Sequence, residues 1–241
     1  MASDALVFVS DAHFGWSAGE AFRRGSFIRF LASLHGTARV FVVGDLFQFW
    51  FDLGGTMPKG YFDVLEALYR LRESGTQVDY LAGNHDYWRS DFFRTELGIA
   101  THVGPLDLDV QGRRLRIQHG DGAGPGDSGY KILKRVLRSP AIVGAARLTH
   151  PDLLLALARW MGDRSRAHTD ARPPALERLD AAAAEAFAAG RDALVMGHVH
   201  AQVHRRLPGG ELVVIGDWLD LRSYVRLVEG VFAPARWEAT M

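Results

Sequence analysis

Short apolar runs recur along the chain, and each is closed by a polar cluster. Ala5–Ser10 leads into Asp11, Arg39–Val43 into Gly44-Asp45, Val78–Ala82 into Gly83-Asn84, Leu115–Gln118 into His119, and Ala193–Met196 into Gly197-His198. Runs this short and rich in β-formers read as strands. Between the first of them the period becomes helical, over Ala21–Leu34 and over Tyr61–Glu73, the latter followed by Gly75 as a C-cap residue. Strand, helix, strand predicts an α/β fold with much parallel sheet. Near the end, Glu211–Ile215 and Tyr224–Val228 read as antiparallel strands.

Ligand sites in such sheets form outside the carboxyl ends of the strands, so five polar clusters at strand ends point to one shared site. Successive clusters from His13 to His119 are separated by roughly the length of one crossover unit. His119 and His198 are separated by about twice that, which reads as an insertion rather than a structureless loop. The chain is therefore expected to be a single domain, 1–241, with a helical cap inserted at about 125–170. Ala175–Ala189, closed by Gly190, reads as the helix returning to the last core strand.

Composition narrows the chemistry. Lys+Arg and Asp+Glu each number 28, so the zero net charge gives no sign of a nucleic-acid partner. With no cysteine, thiolate sites, disulfides and a Cys nucleophile are excluded, leaving imidazole, carboxylate and amide oxygen as ligands. The N-terminus lacks a basic segment before a long apolar one, and no stretch is long and apolar enough to span a bilayer. A cytoplasmic start is expected.

Asp11 and His13 are two apart at a strand end, so their side chains leave on one side and can share a cation; His198 and His200 repeat the spacing. Asp45 can bridge two cations through its two oxygens, Asn84 offers a neutral amide oxygen, and His119 completes a second set. Two divalent metal ions are expected, Mn²⁺ first, with Fe²⁺ or Zn²⁺ as alternatives. Such a pair suits hydrolysis of a phosphoester or pyrophosphate. His85 is placed to donate a proton to the leaving oxygen, with Asp86 orienting its ring. A single His or Asp in a loop is more often a cap or a turn than a ligand. Seven candidates at five strand ends, holding four of the ten histidines, are a different matter. His35, His102, His150, His168 and His204 are given no role.

Asp11-Ala12-His13, Gly44-Asp45, Gly83-Asn84-His85-Asp86, His119 and Gly197-His198-Val199-His200, in this order, resemble the signature of the calcineurin-like metallophosphoesterases. Gln48 departs from it, standing where that superfamily often has an acidic residue. Within the superfamily the chain most resembles the UDP-2,3-diacylglucosamine pyrophosphohydrolases of lipid A biosynthesis, through Gly44–Trp50, His119–Gly122, the Asp127-to-Tyr130 spacing and Val214–Trp218. The best-known members carry Arg where His85 stands.

The resemblance implies a four-layer αββα sandwich, Mn²⁺ dependence, and water attack that releases UMP and 2,3-diacylglucosamine 1-phosphate. It also assigns His200 to the metal of Asp11 and His13, and His198 to that of Asn84 and His119. Asn84, His85, His198, Asp127 and Tyr130 are implied as substrate contacts, with Arg164 and Ser165 as further ones. The implied partner is a lipid-linked UDP-sugar, met at the cytoplasmic face of the inner membrane, with no obligate protein partner evident. In the cap, Lys131, Lys134, Arg135 and Arg138 share one helix face and Ile132, Leu133, Val136 and Leu137 another, and Leu153–Leu157 with Trp160 and Met161 follow. That composition suits an anionic lipid. The competing readings are a phosphatase or phosphodiesterase of soluble phosphoesters, and a non-catalytic metal-binding scaffold.

Overall fold

The computed structural model describes residues 3–15, 19–52, 56–88, 91–121, 139–157 and 176–238. In the first half β1 (Ser3–Val9), α1 (Glu20–Ser33), β2 (Thr37–Val43), α2 (Phe62–Glu73) and β4 (Gln77–Leu81) follow the expected strand–helix alternation. A two-residue β3 (Trp50–Phe51) pairs with β5 (Asp86–Trp88), and α3 (Phe92–Thr95) and β6 (Ala100–His102) complete this half. Then come β7 (Leu106–Val110), β8 (Arg113–Gln118), α4 (Pro140–Leu148), α5 (151–157), α6 (Leu176–Ala188), β9 (Ala193–Met196), β10 (Val203–Leu207), β11 (Gly210–Val214), β12 (Ser223–Val228) and β13 (Val231–Arg236).

Two sheets result, of order β13-β12-β1-β2-β4-β6 and β10-β11-β9-β8-β7. β1, β2, β4 and β6 run parallel in the first, and β8, β9 and β11 in the second. The central strands β1, β2 and β9 are apolar on both faces over their C-terminal halves because both faces are covered. In β1, Val7 and Val9 meet Phe27, Phe30 and Leu31 of α1, whereas Leu6 and Phe8 join Leu115, Ile117, Ala193, Val195 and Val213 between the sheets. On the far side Leu194, Met196, Leu212 and Val214 lie under Leu179, Ala182, Ala183 and Ala186 of α6. The order is helix, sheet, sheet, helix: the αββα sandwich.

Glu211–Ile215 and Tyr224–Val228 are not a pair. The former lies in β11, parallel to β9 and antiparallel to β10, and the latter in β12 of the other sheet, antiparallel to β1 and β13. Two-residue turns, Gln111-Gly112 and Glu229-Gly230, with positive φ at all four positions, close the β7–β8 and β12–β13 hairpins.

Within the expected cap, α4 begins at Ser139, whose hydroxyl accepts from Ile142 N, with Pro140 opening the helix. Ala146 of α4 and Leu154 of α5 are buried against Phe49 and Phe51, which tie this segment to the loop after Asp45. Asp127, Tyr130, Arg164, Ser165 and the Lys131–Arg138 segment lie outside the described residues.

Candidate metal centre

β1, β2 and β4 deliver Asp11, His13, Asp45 and Asn84 from one sheet, and β8 and β9 deliver His119, His198 and His200 from the other. The backbone must turn sharply to aim these side chains into the gap between sheets. Eight described non-glycine residues have positive φ, and five of them are Asp11 (53°), His13 (45°), Asp45 (52°), His198 (70°) and His200 (54°). A left-handed backbone in such residues is uncommon, and strain of this kind concentrates at functional sites. The neighbouring glycines are needed for room. A Cβ on Gly83 would lie 2.1 Å from Asp45 Oδ1, one on Gly197 2.6 Å from Asp11 Oδ2, and one on Gly44 2.5 Å from His119 Nδ1.

Three overlapping groups of ligand atoms form here, and one of them, His13 with Asp45 and His85, links the other two. Asp11, His13 and His200 have ligand atoms within 4.8 Å of one another, and so do Asp45, His119 and His198. Asp45 Oδ2 lies between them, 3.8 Å from His13 Nε2 and 3.2 Å from His119 Nε2. In the first group His13 Nε2 faces His200 Nε2 at 3.2 Å and Asp11 Oδ1 at 3.7 Å, and His200 Nε2 is 3.5 Å from that same oxygen. Asn84 Oδ1 joins the second group, 3.0 Å from His119 Nε2.

These donor sets fit divalent cations. Asp11 is buried, yet its Oδ1 has no hydrogen-bond partner among the described residues, while Oδ2 accepts from His198 N at 2.8 Å. His119 Nδ1 donates to the Val43 carbonyl oxygen at 2.9 Å. With that ring neutral, Nε2 and the oxygens of Asp45 and Asn84 bring lone pairs together with no hydrogen between them, which a cation relieves. A proton is the other remedy. Burial disfavours the charged His119 ring, but the carboxylates of Asp45 and Asp11 outweigh it and its pKa is pushed up to about 10. Burial would likewise raise Asp11 and Asp45, yet His119 and the other imidazoles hold both well below the usual carboxylate range. Burial lowers His13 and His198, whereas at His200 it is overcome by Asp11, with Asp217 and Asp45 adding to the rise.

His85 stands at the edge of this cluster, half-buried, its ring 4.7 Å from that of His13. Its Nδ1 is 2.6 Å from the Gln48 carbonyl oxygen. The Asp86 carboxylate accepts from Gly83 N at 2.8 Å, Asp45 N at 3.3 Å and Tyr80 OH at 2.7 Å. Asp86 opens β5, and through Gly83 N and Asp45 N it braces the loops that carry the ligands. Asp217, also at a strand end, was given no role by the sequence. Its Oδ2 lies 3.8 Å from His200 Nδ1. Its place three residues past the end of β11 is the signal that could have found it.

No family model matches the chain. Curated proteins do. A UDP-2,3-diacylglucosamine hydrolase of Ectopseudomonas mendocina is 29% identical, covering 98% of this chain and 99% of the relative. One of Stenotrophomonas maltophilia is 29% identical (93% and 95% covered), and one of Porphyromonas gingivalis 28% (91% and 92%). The chain is a homologue of the UDP-2,3-diacylglucosamine hydrolases. Similar solved structures include an archaeal phosphodiesterase, 11% identical with a TM-score of 0.49 and covering 96% of this chain and 98% of that one. The vacuolar protein sorting 29 of Cryptosporidium parvum is 14% identical with a TM-score of 0.47, covering 96% and 95%.

Proposed function

We propose that this protein is a metal-dependent hydrolase that cleaves the pyrophosphate of UDP-2,3-diacylglucosamine, giving UMP and 2,3-diacylglucosamine 1-phosphate for lipid A biosynthesis. The observation that carries the reading is the pair of ligand clusters joined at Asp45, in a chain homologous to hydrolases of that name over nearly its full length. Asp11, His13, Asp45 and His200 would hold one divalent cation, and Asp45, Asn84, His119 and His198 the other. When bound, such a pair acidifies water toward neutrality and offsets negative charge on phosphoryl oxygens. Mn²⁺ is the proposed metal, on the mixed imidazole and oxygen donors without sulfur.

His85 is the proposed proton donor to the leaving oxygen. Its Nδ1 is occupied at Gln48, so Nε2 is the nitrogen that gives up and regains the proton. Asp127, Tyr130, Arg164 and Ser165 are the proposed contacts of the nucleotide and sugar. Contact with the inner membrane's cytoplasmic surface accords with Ile142 and Leu148 of α4 and Leu153 and Leu157 of α5, all exposed, Leu148 at 91%. No helix among the described residues is long and apolar enough to cross a membrane.

The decisive experiment incubates Mn²⁺-loaded protein with UDP-2,3-diacylglucosamine and, separately, with an aryl phosphate. UMP release is expected from the first, with loss in Asp45→Ala and His119→Ala greater than the about 10–100-fold typical of removing a group that only supports a metal ligand. Turnover of the aryl phosphate alone would instead establish a phosphatase of soluble esters.

A further inference from the structure

Among the clustered histidines, the nitrogen turned away from the convergence point is held in different ways. His119 uses the Val43 carbonyl oxygen, and His13 Nδ1 has no hydrogen-bond partner among the described residues. Behind His200 Nδ1 lies a carboxylate, that of Asp217. This carboxylate is itself fixed. Asp217 is 3% exposed, and its Oδ1 accepts from Asp220 N at 2.9 Å and Leu221 N at 3.0 Å, leaving Oδ2 toward His200. Its main-chain oxygen accepts from Ser223 N at 2.9 Å and Ser223 Oγ at 3.1 Å. On either side, Ser10 Oγ donates to the Gly216 carbonyl oxygen at 3.1 Å and Trp218 N to the Asp11 carbonyl oxygen at 3.1 Å. The loop that carries Asp217 is thus fastened to the strand end that carries Asp11.

We infer that Asp217 is a positioning residue for His200, its carboxylate keeping the imidazole proton on Nδ1 so that Nε2 presents its lone pair beside Asp11 Oδ1 and His13 Nε2. His200 needs such a hold more than His13 or His119: its side chain is 38% exposed whereas theirs are 8% and 1%, so packing restrains it less. A carboxylate 3.8 Å from Nδ1 acts through its field rather than a hydrogen bond, favouring the tautomer whose N–H dipole faces it. That tautomer leaves Nε2 free of hydrogen, as a metal ligand must be.

The inference rests on the two-cation reading, and the test separates the two. Asp217→Asn keeps an oxygen for Asp220 N and Leu221 N but removes the charge and sets an amide N–H against Nδ1, which favours the tautomer with hydrogen on Nε2. Calorimetric titration of metal-stripped protein with Mn²⁺ should give two sites in the wild type. In the variant one site should weaken by about 10–100-fold while the other stays within twofold. Thermal unfolding of the metal-free variant should match the wild type. In a His200→Ala background, Asp217→Asn should have no further effect on either site. Fewer than two sites in the wild type would sink the two-cation reading itself. Equal affinities in wild type and Asp217→Asn, or an added loss in the His200→Ala background, would overturn the role of Asp217 alone. Where the variant does not fold, nitrogen-15 NMR of the wild-type His200 ring, read where it is neutral, decides the matter: an Nε2–H tautomer refutes the inference.

Discussion

At Gly83 the chain has no room for a single added carbon. A Cβ there would lie 2.1 Å from Asp45 Oδ1 and 2.8 Å from Asp45 N, and Asp45 stands within reach of both ligand clusters. Gly83→Ala is expected to cost about 1–3 kcal/mol, as overpacking does, and to weaken Mn²⁺ binding. Denaturant unfolding and metal titration measure the two, and a variant that binds Mn²⁺ as the wild type does would show that the carboxylate need not hold this place. His119 carries a prediction in pH. Its folded pKa of about 10 lies above the ordinary value of 6.5, so the stability it contributes to the metal-free protein is fully present below pH 6.5 and is lost as pH rises toward 10. With metal bound, Nε2 cannot hold that proton and this alkaline decline should vanish. Melting curves from pH 6.5 to 10, with chelator and with Mn²⁺, test it, and parallel declines in both would contradict it. At this scale the sequence was informative where chemistry is carried by side chains, since Asp11, His13, Asp45, Asn84, His119, His198 and His200 each follow an apolar run. It was silent where a main-chain oxygen does the work: nothing in Gln48 as a residue type says that its carbonyl holds His85.

Elements are what separate His85 from Asp86. The two are adjacent in sequence, but one faces the histidine cluster and the other, at the start of β5, turns its carboxylate to Gly83 N, Asp45 N and Tyr80 OH. Asp86→Ala leaves three donors without this acceptor, in a residue 1% exposed, and each buried unsatisfied group costs about 1–3 kcal/mol. The variant should therefore lose several kcal/mol of folding stability, whereas His85→Ala should lose turnover and keep its stability. Equilibrium unfolding distinguishes them, and an Asp86→Ala protein as stable as the wild type would contradict this bracing role. The core helices α1, α2 and α6 and the core strands were legible from their periods, to within a residue or two of their ends. Six strands escaped: β3, β5 and β6 are only two or three residues long, β7 and β10 carry polar residues along one face, and β13 contains Pro234; tight turns at Gln111-Gly112 and Glu229-Gly230 join β7 and β13 to their neighbours. A polar residue followed by Gly between two such runs is a hairpin signal, and it was there to be read.

Across the whole molecule, neither sheet owns the site. The first supplies Asp11, His13, Asp45 and Asn84 and the second His119, His198 and His200, so the Asp11–His13–His200 and Asp45–His119–His198 clusters both draw on the two sheets. What brings the halves together is the apolar layer between the sheets, in which Leu6, Phe8, Phe41 and Val43 meet Leu115, Ile117, Ala193, Val195 and Val213. Burial at about 25 cal/mol per Å² drives that packing, and the same event sets Asp45 Oδ2 against His119 Nε2 at 3.2 Å across the sheets. The unfolded chain has no such arrangement, so cations bound here favour the native state by mass action. At a free metal concentration 100 times Kd one site contributes about 2.7 kcal/mol, and a protein of this size shifts its Tm by about 2–4 °C per kcal/mol. Removing the metal with a chelator should accordingly lower the Tm by at least about 5 °C at that concentration, and more if both sites are filled. The shift should grow with the logarithm of metal concentration and disappear in Asp45→Ala, because that side chain stands between both clusters. Scanning calorimetry across a series of Mn²⁺ concentrations measures it. A Tm insensitive to metal in the wild type would mean that the two sheets do not close on a cation at all.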